Sequence, residues 1–405
     1  MRTPLNALTA ARTILLLLVT WGCTQSSTEP TSDQNVILDF SGCSGDRVPL
    51  WVAVQDGPTG EWTRLLPVND VYSFEFDFAV GGIASVSAVS GNMRTTVELR
   101  TVAEFAELSN RVCPIATKTV GGSVAGLGTG DVATIWVSGN AMTSLGANGI
   151  YSLPAIPDGP VDLFAARYNA GVGDAAHRLI LRRDLNLTNG GSFVPLDFAS
   201  AEAVEPARAT LTVAGAGAAP IFASMAYVPR SATSCLWSSI PAASSPMQLL
   251  GVPAALQRPD GVHLLSVISS DANYSRASTE WFHTLQDRTV TMRDPVPAPT
   301  VTMVAGPYKR LRASVSLAAG DDLMGITYPS TSGGGPRGQI LASAGYLAVV
   351  GAPPIFPDLS AITGWLNSWM PEAASSGIWS LFVSDFSGVC EDGSRTRRIS
   401  FIGNY

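Results

Sequence analysis

The chain has 405 residues, of which 46% are hydrophobic and 14% charged, with a formal net charge of -7 and a sequence pI near 5.0. This length is enough for two or three domains with separate cores. The acidic balance argues against a nucleic-acid partner, because phosphates are neutralised by a basic surface that this composition does not offer. The 39 glycines and 27 prolines are typical of many short strands joined by turns.

The first predicted element is a signal peptide at residues 1–22. Arg2 and Arg12 give it a positive start, and its apolar run at 14–19 is too short to span a membrane. The arrangement before Cys23 resembles a bacterial lipoprotein signal, in which the cysteine becomes the lipidated N-terminus. The resemblance implies a membrane partner, reached through the lipid anchor.

An alternative for this segment stays open. Thr20 and Trp21 depart from the Leu and small residue usual in lipoprotein signals, so the ordinary signal peptidase is a second candidate for cleavage after Gly22. That alternative makes the protein periplasmic or secreted. If Cys23 is lipidated, Thr24 occupies the next position, where retained lipoproteins carry Asp. By resemblance to diderm sorting rules, this implies the outer membrane or cell surface. Residues 23–35 are predicted to be the lipidated cysteine and a flexible tether.

Cysteine parity favours the lipidated interpretation. If Cys23 carries lipid, four of the five cysteines remain, an even number in an oxidising compartment. A bridge between Cys43 and Cys113 would close the first β module, and one between Cys235 and Cys390 would close the last domain. Four cysteines allow three pairings, so the connectivity is not determined.

Three β units are predicted after the tether. In residues 36–114, apolar and polar residues alternate with a period of two around a Gly-Pro loop in QDGPTGEW, which indicates half-buried strands joined by a hairpin. Residues 215–405 contain further strand-like runs, among which we count YLAVVG, and Pro residues separate them. One short helix is predicted at 358–371, with Ser360 as its N-cap and Pro371 at its end.

The middle unit, residues 115–214, carries the most specific pattern. Glycines that form turns are followed by alternating apolar residues, at Gly122, Val124, Gly126, Ala133, Ile135, Val137, Gly149, Tyr151, Leu153, Ile156, Pro157, Gly159, Leu163 and Ala165. This pattern resembles the carboxypeptidase regulatory-like domain, a transthyretin-type β-sandwich. The resemblance implies a sandwich fold and brings no catalytic residue with it.

Chemistry-bearing residues are scattered rather than grouped. No nucleophile elbow, zinc-protease helix or phosphate-binding loop occurs, and we predict no catalytic residue, metal or cofactor. The histidines stand singly in different units, at His177, His263 and His283. Two acidic pairs lack the regular spacing of a calcium loop and are expected to be solvated turn carboxylates: Asp321–Asp322 and Glu391–Asp392.

Tryptophans give one further hypothesis. Trp51 and Trp62 flank the first hairpin, and Trp365 and Trp369 are spaced to share one face of the predicted helix. Exposed rings on a β-sandwich stack on sugars, whereas large aromatic side chains more often fill a core, which we favour here.

The sequence therefore predicts an all-β fold of tandem antiparallel β-sandwich modules, immunoglobulin-like or transthyretin-like. The favoured function is a cell-envelope lipoprotein with a non-enzymatic binding, adhesive or scaffolding role and a surface protein or carbohydrate as partner. The alternative is an exported or anchored hydrolase of polysaccharide with its site in residues 215–405.

Overall fold

A computed structural model describes residues 35–41, 43, 48–89, 91–108, 116–137, 141–157, 160–169, 176–186, 192–228, 235–237, 246–259, 261–271, 274–329, 335–386 and 392–405. The predicted signal peptide and Cys23 lie outside these ranges. The fold is all-β, as predicted.

Residues 35–108 form the first group of strands and end in a short helix. These elements are β1 (Asn35–Asp39), β2 (Trp51–Asp56), β3 (Trp62–Leu65), β4 (Val71–Glu75), β5 (Val80–Val89), β6 (Asn92–Thr101) and α1 (Val102–Leu108). The predicted hairpin is confirmed, since β2 pairs antiparallel with β3 and Gly57 takes a positive φ of 77° in the loop between them.

The second group covers the region that resembles the regulatory-like domain. Its strands are β7 (Ala116–Ala125), β8 (Asp131–Val137), β9 (Ala141–Leu145), β10 (Gly149–Pro157), β11 (Pro160–Asn169), β12 (Ala176–Asn186), β13 (Ser192–Phe193), β14 (Leu196–Asp197) and β15 (Ala207–Ala214). The apolar positions of the motif lie on β7, β8, β10 and β11, where they fill a core between two sheets.

The third group contains the remaining strands and one helix. These elements are β16 (Ile221–Val228), β17 (Cys235–Trp237), β18 (Met247–Gly251), β19 (Val262–Ser270), β20 (Tyr274–Phe282), β21 (Arg288–Thr291), β22 (Thr300–Val304), β23 (Arg310–Ser314), β24 (Leu323–Pro329), β25 (Arg337–Ser343), α2 (Ala344–Val350), β26 (Ile378–Phe386) and β27 (Arg395–Asn404). Two 3-10 turns lie at Ala254–Leu256 and Asn367–Trp369.

The largest sheet in the described part of the chain has twelve strands, in the order β17-β16-β19-β20-β27-β26-β24-β25-β6-β5-β2-β3. It is antiparallel except where β25 runs parallel to β6, and that pair joins the N-terminal and C-terminal strands. The shared sheet covers one hydrophobic core to which both groups contribute, as shown by Trp51, Val97, Met324 and Leu381. Strands from the predicted units 36–114 and 215–405 thus lie side by side, while the domain boundaries themselves stay a prediction.

The middle sheet, β12-β11-β8-β9, is covered on both faces. Leu163 and Ala165 of β11 belong to the core shared with β7 and β10. Phe164 and Ala166, which point to the opposite face, pack with Leu211 of β15 and with Met225 and other residues of the third group. The middle unit is therefore joined to the C-terminal strands by apolar packing across this second face.

Two local predictions are wrong. The run YLAVVG forms helix α2 rather than a strand, because Ser343 caps the helix by accepting a hydrogen bond from Tyr346 N at 3.1 Å and Gly351 ends it at a φ of 64°. The predicted helix at 358–371 is a series of turns with one 3-10 segment. There Ser360 donates its hydroxyl hydrogen to Asp358 Oδ1 at 2.7 Å instead of capping a helix.

Candidate functional site

Three of the tryptophans named from the sequence meet Tyr308 in the aromatic junction, which we define as Trp51, Tyr308, Trp365 and Trp369. Trp51 lies on β2 and is 2% exposed, and its ring meets that of Trp365 edge-on with centroids 5.2 Å apart. Trp369 lies 6.3 Å from Trp51 and 5.4 Å from Trp365 between ring centroids. Edge-to-face rings at these distances are favourable beyond the area they bury.

Polar contacts fix the chain segment that carries the junction onto the large sheet. Trp51 Nε1 donates to Thr363 O at 3.2 Å, and Thr95 Oγ1 of β6 donates to Trp369 O at 3.2 Å. The indole Nε1 of Trp365 donates to Asn367 Oδ1 at 2.9 Å. The irregular segment replaces the predicted helix because this tertiary packing outweighs local helix propensity.

Tyr308 extends the junction into the core. Its hydroxyl donates to Pro357 O at 3.0 Å and accepts from Leu359 N at 2.6 Å. Burial raises the pKa of Tyr308, with the Asp358 carboxylate acting in the same direction and the Leu359 hydrogen bond opposing it. The hydroxyl therefore stays protonated and holds two turns of the covering segment together.

The predicted sugar-stacking residues do not form an exposed platform. Trp51 and Trp365 are 2% and 8% exposed, so their faces lie against other rings. Trp369 is half-buried in the same cluster, and Trp62 is half-buried where its ring covers Gly82. The structure brings together three of the four tryptophans as core residues, which supports the packing interpretation.

Glu104 holds a second joint at the other end of the β6–β25 pair. Its Oε2 accepts from Thr101 N at 2.8 Å, which forms a capping box for α1, and from Ser343 Oγ at 2.6 Å. Ser343 and Glu104 are 239 residues apart in sequence. The same carboxylate thus fixes α1 and the start of α2.

The histidines occupy three different environments. His263 is fully buried, where its Nε2 accepts from Val252 N at 3.1 Å and its Nδ1 lies 3.1 Å from His283 O. Burial, opposed by its backbone hydrogen bonds and assisted by the positive charges of His283 and Arg288, lowers the pKa of His263 to about 4. The ring is therefore neutral and serves as a backbone bridge.

His283 and His177 are also accounted for. His283 Nδ1 lies 2.7 Å from Gly261 O, and its backbone N donates to Asp392 Oδ1 at 2.8 Å. His177 is exposed on β12. No group of three or more His, Cys, Asp or Glu side chains able to hold a metal ion occurs within the described ranges.

The acidic pairs have structural partners where the structure describes them. Asp321, with a side chain 2% exposed, is ion-paired with Arg293 and accepts from Ala318 N at 2.6 Å. Asp392 accepts from His283 N, and Glu391 lies outside the described residues. Asp321 is therefore a buried ion-pair residue rather than the solvated turn carboxylate that the sequence suggested.

A charged seam, which we define as Asp162, Arg183, Asp184 and Arg258, joins the middle unit to the C-terminal strands. Asp162 is buried on β11, with Arg183 Nη1 and Arg258 Nη2 each 3.8 Å from one of its oxygens. Asp162 Oδ1 also accepts from Asp184 N at 3.0 Å. Arg258 pairs with Asp184, and Arg183 donates to Leu256 O. Sequence reasoning missed this cluster, since its members come from three segments without a common spacing.

The cysteines are partly described. Cys43 is disulfide-bonded, and the structure does not describe the sulfur at the other end. Cys113 and Cys390 lie outside the described residues, and of Cys235 the backbone in β17 is described. Both predicted pairings stay predictions. None of the described helices is long and apolar enough to span a membrane.

Comparison with known proteins leaves the family open. No family model and no curated protein matches the chain. Among solved structures, the chain is similar at 9% identity to the shaft pilin SpaA of Lactobacillus rhamnosus GG, over 45% of this chain and 100% of that one, with a TM-score of 0.13. It is also similar at 9% identity to the FN1–FN3 domains of chicken CNTN1, over 72% and 99%, with a TM-score of 0.15. Neither likeness carries an argument, because TM-scores this low do not establish a shared fold.

Proposed function

We propose that this protein is a cell-envelope lipoprotein with a non-enzymatic scaffolding or binding role, anchored through lipid on Cys23 at the outer membrane or cell surface. The lipoprotein-like signal and the parity of the cysteines support the anchor. The tether at 23–35 would separate the membrane from β1, the first described strand. A cysteine that carries more than one acyl chain is an anchor that stays stably in a bilayer.

One observation supports the scaffolding role. The aromatic junction and Glu104 join segments that are far apart in the chain. Trp51, Thr95 and Glu104 each bond to residues at 343–369, more than two hundred positions away. Side chains with catalytic potential, His263 among them, contact backbone groups of neighbouring strands. Such an arrangement favours rigidity over a mobile reaction centre.

The middle unit contributes a second reason. Its motif resembles the regulatory-like domain, which in exported proteins serves mostly structural or adhesive purposes. Both faces of its β12-β11-β8-β9 sheet are covered, so this unit is built into the body of the protein. A surface protein or a carbohydrate of the envelope is the proposed partner.

The anchor is tested by the intact mass of the membrane-extracted protein, with and without reduction. We expect the mass of residues 23–405 plus acyl chains, and a gain of about four hydrogens on reduction as two disulfides require. A Cys23→Ser variant is the matched control, and it should leave the membrane fraction. Wild-type protein cleaved at Gly22 without acyl chains would overturn the anchor.

The non-enzymatic role is tested with polysaccharide isolated from the same envelope. Sedimentation of the protein with the polymer, without any new reducing ends after prolonged incubation, would support a binding role. New reducing ends that increase in proportion to protein concentration would instead establish the hydrolase.

A further inference from the structure

A cavity lies at the β5–β6 hairpin end of the large sheet. Arg94 of β6 and Arg337 of β25 are direct partners in the parallel register, and both line a cavity of about 110 Å³ together with Val89, Asn92 and Met93. One water molecule needs about 10–15 Å³ of such space. The cavity therefore has room for a small polyatomic ligand.

Neither Arg94 nor Arg337 forms an ion pair among the described residues. Several other arginines do, as in the pairs Arg100–Glu98 and Arg397–Asp385, whereas the buried Arg276 donates to carbonyl oxygens instead. Like charges placed directly across two strands are destabilising. Burial lowers the pKa of Arg94, and the charge of Arg337 lowers it further. Two positive charges thus face one cavity, and their repulsion destabilises the folded protein when no ligand is bound.

The walls of the cavity are held by the sheet. Asn92 Oδ1 accepts from Gly335 N at 2.8 Å, which ties the β5–β6 hairpin to the residues that lead into β25. Val89 and Asn92 are themselves partners at the end of that hairpin. Arginines on paired strands need little rearrangement to act together, as preformed binding sites require.

We propose that Arg94 and Arg337 bind a phosphate group in this cavity. The planar guanidinium presents paired N–H donors that match two oxygens of a phosphate, and two such groups supply the charge that balances a dianion. The phosphate is either free or part of an anionic phospholipid headgroup. The site goes beyond the proposed function and does not depend on the lipid anchor.

The test uses the full chain carrying Cys23→Ser, so that no acyl chain contributes to membrane binding. Titration calorimetry with inorganic phosphate measures affinity at constant ionic strength, and flotation with phosphatidylglycerol or phosphatidylcholine vesicles measures headgroup binding. The variants are Arg94→Gln and Arg337→Gln. Arg312→Gln, at an exposed arginine on β23, is the charge-matched control.

Each cavity variant should weaken phosphate binding at least about tenfold, as expected when a charge-assisted hydrogen bond is lost, while the control binds like the parent. Without phosphate, both cavity variants should melt no lower than the parent, because the like-charge contact is relieved. Flotation that requires phosphatidylglycerol and both arginines identifies a headgroup, and phosphate binding without flotation identifies free phosphate. No binding in either arm, or binding unaffected by both cavity variants, would overturn the proposal.

Discussion

The aromatic junction and the charged seam join different parts of this protein by different physics. The junction packs indole and phenol rings under a continuous sheet, and its core residue Trp51 is 2% exposed. The seam places two carboxylates and two guanidiniums between the middle unit and the C-terminal strands, beside an apolar contact. The stability of the aromatic junction therefore depends on buried area, whereas the stability of the charged seam also depends on electrostatic interactions.

His263 belongs to the seam side of the molecule. Its ring lies edge-on to Tyr227, whose hydroxyl accepts from Arg258 N at 2.8 Å. Arg183 also lies over the Tyr227 ring, with its guanidinium carbon 5.9 Å from the ring centroid. Acid should therefore weaken the seam side first and leave the junction intact longer.

The largest effect is expected from Trp51→Ala. Removal of this buried ring leaves a cavity among Trp365, Trp369 and the β2 strand, and the free energy of unfolding should fall by about 3 to 5 kcal/mol. Urea unfolding monitored by circular dichroism measures the change. Leu66→Ala, at a side chain 71% exposed, is the control and should change stability by about 0.5 kcal/mol or less. Equal effects of the two substitutions would contradict a junction based on burial.

Acidification should destabilise the protein through His263. Its pKa falls from the ordinary 6.5 to about 4 on folding, so the unfolded chain takes up the proton first as the pH decreases. The stabilisation is complete above pH 6.5 and is lost progressively as the pH falls from 6.5 to 4, by about 3 kcal/mol in total.

The measurement is urea unfolding at intervals through that pH range, for wild type and His263→Gln. Glutamine keeps an acceptor for Val252 N but does not titrate, so the pH dependence of the variant should be shallower. Parallel pH profiles for the two proteins would show that another group is responsible. Trp51→Ala should retain the wild-type slope, because the junction lies apart from His263.

A smaller effect is expected from Asp162→Ala. The substitution removes the acceptor of Asp184 N and the carboxylate nearest Arg183 and Arg258, and it should cost about 2 kcal/mol. Added salt should reduce the difference between variant and wild type. Glu202→Ala is the control, since Glu202 forms an exposed bridge to Arg182 that should contribute about 0.5 kcal/mol. A control effect as large as that of Asp162→Ala would mean that the seam has no special role.

Local sequence signals predicted much of the strand content. Alternation in the first hairpin and the glycine pattern of the middle unit correspond to β2, β3, β7, β8, β10 and β11. Neither α-helix of the described residues is among the predicted elements, although their caps are visible in sequence, as Thr101 with Glu104 and as Ser343 with Gly351. A run as short as YLAVVG does not distinguish a helical period from a strand period.

The candidate site was less predictable. Trp51, Trp365 and Trp369 meet in the junction. The segment 358–371 is not the helix that its spacing and flanking residues favour locally. Contacts with Trp51 and Thr95, which lie far away in sequence, decide its backbone instead. The pairing of Arg94 with Arg337 depends on a parallel register that no local pattern encodes.

The parallel pair β6–β25 also has a consequence for the order of folding events. One edge of β6 receives its neighbour only from residues 337–342, after most of the chain has been synthesised. Closing so long a loop carries an entropic penalty before any contact compensates it, and topologies dominated by such contacts fold slowly. Until β25 arrives, β6 is an open strand edge, the kind of template on which nascent β proteins pair wrongly. The same contact that makes the finished sheet continuous therefore defines the interval in which the chain is most vulnerable to aggregation.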